Sequence, residues 1–410
     1  RTGELVFVRT AAGARRTPEE LGGDLGNLRS EPPVPGNNVV LTLDIRIQQL
    51  LREVLEPLPS AAAVVLDVDS GEILGMVSHP TFDANAWSGR LTAEEKRRVD
   101  ENPYHPMVNK ATVAYPPAST FKVVTSLAGL NEGIATGDTV VNCPGFYDFA
   151  DRRFNCYNRY GHGDLDMVHG IVASCDVYFY RLGEWLGIDR LEQYAVLFGL
   201  GTKTGVEIGE SPGLVPSRAW HERHSKGGFR PGFTLSTAVG QKDIRATPLQ
   251  MAMVVAQIAN GGHVIRPHLV RRIEDRRGNV LRVVRGETDR NLGIPDAYLR
   301  FVREAMVGVV EDPDGTAHKA QLSSIRFGAK TGTAEAREVR RDVPPAIAQW
   351  LLEDHAWLVA FAPAEDPRVA VVIFVEHGGF GGSVAGPVVS RIIYRLLARD
   401  LVPPRGDRAP

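Results

Sequence analysis

Regular alternation of apolar and polar positions begins near Leu41; the forty residues before it are rich in Gly, Pro, Arg and Glu and carry no periodic pattern. Ile45, Ile47, Leu50, Leu51, Val54 and Leu55 recur at helical spacing, with Thr42 or Asp44 in place to cap the first turn. Two apolar runs follow, Ala62 to Val68 and Gly71 to Val77, parted by Asp69-Ser70, which predicts a hairpin. A long middle section carries mainly helical patterns and loops. Strand-like runs return at Ser324 to Ala334, His355 to Ala362 and Arg368 to Val375, and a last helix is predicted over roughly Ala385 to Leu401. Two strands at the start, three at the end and helices between them predict an α+β fold: one mostly antiparallel sheet, assembled from both ends and covered by helices. There is no internal repeat.

Composition narrows the class without choosing a chemistry. The 410 residues can bury a large core, and one large domain with a small appendage is the expected organisation. A formal net charge of -2 gives no single-sign field that would draw the chain onto nucleic acid or anionic lipid. No run approaches the roughly 20 apolar residues that span a bilayer. The chain opens at Arg1 and reads as a fragment or processed form. The break at Glu31 to Asn38 divides residues 1–39, read as the end of another domain plus linker, from a main domain over 40–402. Residues 403–410 are expected to be a disordered tail, and Arg405-Gly406-Asp407 within it a chance tripeptide.

The chemistry begins at Tyr115-Pro116-Pro117-Ala118-Ser119-Thr120-Phe121-Lys122. The prolines stop the preceding chain and release a helix with Phe121, Val124, Leu127 and Ala128 on one face, so Ser119 sits in its first turn. Lys122, three residues on, projects from the same side and can serve as the base that a serine nucleophile needs, provided burial or a neighbouring cation leaves it partly neutral. Alone, Ser-x-x-Lys is weak, because roughly one chance match is expected in a chain of this length. Two further motifs change that. Lys330-Thr331-Gly332-Thr333 lies in a strand-like run, where the glycine lets a ligand approach the backbone and the Lys and hydroxyls can hold a carboxylate. The Thr333 and Ser119 amides can pair as an oxyanion hole. Between them stands Ser174-Cys175-Asp176, whose serine can relay a proton to a leaving amine.

Ser-x-x-Lys, a Ser-x-Asn-type motif and Lys-Thr-Gly in this order are the signature of penicillin-binding proteins and serine β-lactamases, which the chain resembles from Val40 onward. Thr42-Leu43-Asp44, Asn109-Lys110-Ala111, Thr234 to Gln241, Thr247-Pro248-Leu249-Gln250 and His355 to Pro363 also resemble family segments. Within the family, Tyr115-Pro116-Pro117, Gly161-His162-Gly163 and the run from Ser174 to Tyr180 are similar to class B, elongation-type enzymes. Asp176 departs from the usual pattern, since a carboxylate cannot donate the hydrogen bonds of an amide, and its contact to substrate is left open.

The resemblance implies a β-lactamase/transpeptidase-like fold behind a remnant of a pedestal domain, and a D,D-transpeptidase that cross-links peptidoglycan stem peptides at D-Ala-D-Ala. Ser119 would attack, Lys122 act as base and Ser174 relay the proton, with Asp176 and Lys330 also counted as catalytic, and Lys330, Thr331, Gly332 and Thr333 would bind the terminal carboxylate. β-Lactams would acylate Ser119. No cofactor is needed for that chemistry. The implied partners are stem peptides, a membrane-embedded SEDS-type glycosyltransferase and elongation scaffold proteins, and no nucleic acid. The implied place is the extracytoplasmic face of the bacterial inner membrane, with an N-terminal transmembrane anchor outside this sequence. The rivals are a D,D-carboxypeptidase or β-lactamase, for which no water-activating glutamate can be identified, and a non-catalytic β-lactam sensor domain, whose membrane-linked effector is missing from this sequence.

All three cysteines fall in one window with His162. Cys143, Cys156, His162 and Cys175 are read either as a closed structural zinc site, with His169 as substitute ligand, or as a Cys143–Cys156 disulfide with Cys175 a buried thiol. His355 is expected to be structural, Gly378 to Gly382 a flexible rim rather than a phosphate cradle, and Glu335 and Arg337 solvated.

Overall fold

The structure, a computed structural model, describes residues 8–9, 15–16, 36–89, 91–336, 338–340 and 342–402. The predicted tail, Arg337 and most of the N-terminal stretch lie outside them.

Asp44, in extended backbone, accepts a hydrogen bond from the Arg46 N–H at 2.8 Å and starts helix α1 (Ile45–Leu55), which buries its predicted stripe from Ile47 to Leu55. The hairpin is strands β1 (Ala61–Asp67) and β2 (Ile73–His79), turned by the Asp67 carboxylate, which accepts from the N–H groups of Asp69 and Ser70. Helix α1 packs on β2, where a Cβ at Gly75 would lie 2.6 Å from the Ile47 side chain. A short 3-10 turn, Ala118–Phe121, leads into α2 (Lys122–Asn131). Two small antiparallel pairs follow: β3 (Val141–Cys143) with β6 (Gly163–Leu165), enclosing the hairpin β4 (Phe146–Phe149) and β5 (Arg152–Asn155). Helices α3 (Asp176–Leu186), α4 (Arg218–His224), α5 (Gly232–Ala238), α6 (Pro248–Ala259) and α7 (Asp296–Glu311) precede β7 (Gly328–Ala334), β8 (His355–Ala362), β9 (Val369–Val375) and α8 (Gly381–Ala398).

The main sheet has the order β7-β8-β9-β1-β2, every neighbour antiparallel, with Lys330 opposite Val359, Val359 opposite Val372 and Val372 opposite Val64. Strands β1, β8 and β9 are buried at every position, so both faces are covered, which is why they read as continuous apolar runs rather than alternating ones. Helix α6, buried at all twelve positions, lies against β1, β8 and β9; α8 lies against β7, β8 and β9. The predicted sheet from both ends of the chain is therefore present. Two starts move by four residues: β7 begins at Gly328 rather than Ser324, and the last helix begins at Gly381, inside the segment expected to be a glycine rim. A Cβ at Gly381 would sit 2.3 Å from the Gly332 carbonyl, so glycine here serves close packing of a helix on β7 rather than flexibility.

The chain divides into two compact units, residues 1–41 with 270–284, and residues 42–269 with 285–410. Within the first, Asn38–Leu41, Val270–Glu274 and Val280–Val283 form a three-stranded antiparallel sheet with 270–274 in the middle. All motif residues belong to the second unit.

Candidate active site

The Ser119 turn is held from below by backbone. Ala118 takes a left-handed φ of 51°, and its N–H donates to the Gly240 carbonyl at 2.8 Å. Such strain in a residue with a side chain persists only where the surroundings enforce it. Gly240, at φ 71°, cannot be replaced here, since a Cβ would lie 2.1 Å from the Ala118 carbonyl. Upstream, the Tyr115 hydroxyl donates to Glu376 at 2.8 Å, tethering the Tyr-Pro-Pro approach to the end of β9. Ser119 itself is partly exposed, and its hydroxyl has no hydrogen-bond partner among the described residues.

Lys122 is fully buried, not solvated as an ordinary capped helix would leave it. Its ammonium donates to the Ser174 carbonyl and to Asp176 Oδ1, both at 2.8 Å, and more loosely to Ser174 Oγ at 3.4 Å. Asp176 is thus a partner of the lysine: one oxygen binds Lys122 and the other accepts the Tyr157 N–H at 2.9 Å. Its place at the first residue of α3 also suits a negative charge. The motif is shaped by its neighbours in sequence. Ser174, at φ 52°, closes the preceding helix with its N–H on the Ile171 carbonyl, and Cys175 caps α3 with its sulfur.

Lys330 comes from the edge strand β7, also fully buried, and donates to Ser174 Oγ at 2.7 Å and to the Thr331 carbonyl at 3.2 Å. Burial first, and then the charge of Lys122, push Lys330 well below the ordinary lysine range, with Asp176 opposing. One hydroxyl therefore lies between two lysines of unequal environment, an arrangement able to pass a proton either way. Thr331 Oγ1 is 2.6 Å from Thr316 Oγ1, and the Thr333 carbonyl accepts from Gln241 Nε2 at 2.9 Å. In an antiparallel edge strand the N–H and C=O of one residue point to the same side. The side-chain donors on the Thr331 and Thr333 carbonyls therefore place both N–H groups off the open edge, beside which the Ser119 turn packs. Gly332 permits this closeness, since a Cβ would come within 3.1 Å of the Pro117 carbonyl.

The structure brings together Ser119, Lys122, Ser174, Asp176, Lys330 and the Thr331 to Thr333 strand as the motifs predict. Thr316 and Tyr157 join them without having been singled out, and so does Gln241, which was named only as the end of a family-like segment. Their contacts cross between elements far apart in sequence, and no local spacing encodes them. His355 is structural, its Nδ1 accepting the His377 N–H at 2.9 Å. Burial, helped by His377 and Arg245, lowers it to about 3.

Beside the Ser174 turn, the ligand atoms of Cys143, Cys156, His162 and Cys175 all lie within 4.8 Å of one another, with His162 Nδ1 at 3.5 Å from Cys143 Sγ and 3.6 Å from Cys156 Sγ. The three cysteines are free thiols, so the Cys143–Cys156 disulfide is not formed. His169 pairs with Asp166 and stands outside the cluster. Tetrahedral zinc with bonds of about 2.0–2.3 Å sets its ligand atoms roughly 3.5–3.8 Å apart; three thiols and an imidazole are donors that zinc takes, and the two His162–cysteine separations match that spacing.

The fold and the motif constellation together place the chain in a family of domains that comparison with known proteins names. The family model for the penicillin binding protein transpeptidase domain matches residues 61–394, and the chain belongs to that family. It is 34% identical over 387 residues to peptidoglycan D,D-transpeptidase MrdA of Haemophilus influenzae, covering 91% of this chain but 58% of that protein. Among solved structures, Pseudomonas aeruginosa PBP2 in complex with WCK 5153 matches with a TM-score of 0.80 and 33% identity, covering 93% of this chain and 80% of that one. Helicobacter pylori PBP2 in complex with MreC matches at 0.78 and 28%, covering 97% and 69%. The β-lactamase/transpeptidase-like fold is thereby the fold of this chain.

Proposed function

We propose that this chain is the transpeptidase part of a class B, elongation-type peptidoglycan synthase. The observation that carries the reading is Ser174 Oγ held between two buried lysines, one of them three residues from Ser119. In the form of the site in which Lys122 is a neutral amine, Ser119 Oγ attacks the carbonyl carbon of the penultimate D-Ala as Lys122 takes its proton, and the Ser119 and Thr333 N–H groups receive the developing oxyanion. The C–N bond breaks, and the departing D-Ala amine gains a proton through Ser174. An amine of a second stem peptide then attacks the ester, and Ser119 regains its proton. Asp176 positions Lys122, while Lys330, Thr331 and Thr333 hold the terminal carboxylate. No cofactor enters these steps.

Intact-protein mass spectrometry after exposure to a panel of β-lactams tests this. A stable adduct on Ser119, absent from Ser119→Ala, is expected; none from any member of the panel in folded protein would overturn it, and rapid release of hydrolysed drug would favour a lactamase. The complex of Helicobacter pylori PBP2 with MreC supports a protein partner for this chain; to it we add, as proposals, elongation scaffold proteins, a SEDS-type glycosyltransferase and a place at the extracytoplasmic face of the membrane. Among the described residues no helix is long and apolar enough to cross a membrane. The three-stranded unit and residues 1–39 would be the end of a pedestal.

We further propose that Cys143, Cys156, His162 and Cys175 hold a structural zinc ion. Tyr157, next to Cys156, and Asp176, next to Cys175, share a hydrogen bond, so the bound ion would brace the partner of Lys122. Untagged protein is expected to contain about one equivalent of zinc and to release thiols on chelation; under a tenth of an equivalent, with no thiol release, would refute it.

A further inference from the structure

Away from the motif residues, the β4–β5 hairpin and the segment leading into α5 enclose a cleft of about 510 Å³. Its lining includes three phenylalanines, Phe149, Phe154 and Phe233. Phe154 stands edge-on to Phe149 at 6.5 Å between ring centres and packs over Gly232, where a Cβ would lie 3.1 Å from its ring tip. Three cations also line it: Arg152, Arg230 and Lys242. All three are exposed, and none has a carboxylate partner among the described residues. The Arg152 guanidinium sits 5.1 Å from the centre of the Phe154 ring, and among the described residues Arg230 donates only to the Lys226 carbonyl, at 3.3 Å. Asp151 is the single acid in the lining. Elsewhere the surface arginines are commonly paired, as Arg153 is with Asp148 and Arg326 with Glu311 and Glu365.

The cleft reaches the reactive edge through one turn. Ser236 in its wall accepts the Gln241 N–H, Gln241 donates its side-chain amide to the Thr333 carbonyl, and Lys242, next in sequence, lines the cleft. A ligand laid along the open edge of β7 past Thr333 therefore meets this turn and the cleft beyond it.

We infer that this cleft is a second recognition site, one that holds carboxylate groups of an acidic peptide whose D-Ala-D-Ala end lies at Ser119, with aliphatic parts of the peptide against the phenylalanines. The inference rests on the transpeptidase reading, and it names the substrate class: a stem peptide with free carboxylates rather than amidated ones. Unpaired guanidinium groups recognise carboxylates in a two-point geometry, and the apolar floor excludes water from the aliphatic stem.

The test titrates two synthetic pentapeptides ending in D-Ala-D-Ala, one with side-chain carboxylates and one with carboxamides in their place, into Ser119→Ala protein with and without Arg152→Gln, Arg230→Gln and Lys242→Gln together. Each exposed ion pair contributes a factor of roughly 1.5–5, so a preference of about tenfold for the carboxylate peptide is expected at low salt. That preference should shrink on raising ionic strength to about 0.5 M and vanish in the triple variant. Equal binding of the two peptides, or a preference that survives the triple substitution, overturns the cleft. Acylation of Ser119 by a fluorescent penicillin, with the three substitutions in an otherwise unchanged chain, should keep its rate; a fall of tenfold or more would place these cations in the reaction and also overturn a separate cleft. If the chain without substitutions is not acylated at all, the transpeptidase reading fails, which this arm separates from failure of the cleft.

Discussion

Ser174 is where the polar contacts of the site converge, and its hydroxyl is reached by amines from two different elements. On the proposed mechanism, replacing it by alanine removes the proton relay while leaving both lysines in place, so the rate of penicillin acylation at Ser119 should fall about a hundredfold or more, measured by stopped-flow with a fluorescent penicillin. Lys330 makes a prediction about pH. Its folded-state value lies well below that of an unfolded lysine, so the unfolded chain binds more protons between the two values. Stability therefore rises with pH across that window, by up to about 1.4 kcal/mol per pH unit. A Lys330→Met variant should lose this rise when melting is followed from pH 6 to 9; an unchanged slope would mean that Lys330 is not the source. At this scale the sequence was most legible where motif spacing is local, as in Ser119 and Lys122. It was least legible for Asp176, because the lysine it binds is 54 positions away and no spacing records that pairing.

Among the elements, β7 and α8 show how little room the site leaves. Gly381→Ala would press a methyl group onto the Gly332 and Trp357 carbonyls, at 2.3 and 2.5 Å. Rigid backbone cannot yield as a side chain does, so a loss of about 1–3 kcal/mol in urea unfolding is expected, together with weaker acylation because β7 shifts. The start of β8 carries a second pH dependence of the same sign. His355 stays neutral in the fold down to about 3, whereas an unfolded histidine takes up its proton near 6.5. Stability should therefore fall as pH drops through that interval, and His355→Gln, which can still accept the His377 N–H, should flatten the curve between pH 7 and 4. Helix α1, the hairpin and the three late strands were legible because each has its own period or a continuous apolar run. The start of α8 was not, since glycines that normally break helices are here chosen for contact with a neighbouring strand.

For the molecule as a whole, chain order predicted the sheet: strands from both ends had to meet, and β9 pairs with β1. The pairs β3–β6 and β4–β5 were not foreseen, because three- and four-residue strands carry too few positions to show a period. The cysteine window that they frame was visible from composition alone, and the structure brings its three thiols and the imidazole together. Pairing β1 with β9 has a consequence in time. Val64 and Val372 are neighbours separated by about 300 residues of chain, so the sheet closes one of the longest loops available to the protein, and such contacts form late and slowly. During synthesis the serine motif emerges some 200 residues before the lysine strand that completes its surroundings. A nascent or truncated chain that stops short of residue 369 should expose the β1 edge, recruit chaperones and remain blind to penicillin, so covalent labelling by the drug reports completion of the fold and not the mere presence of Ser119.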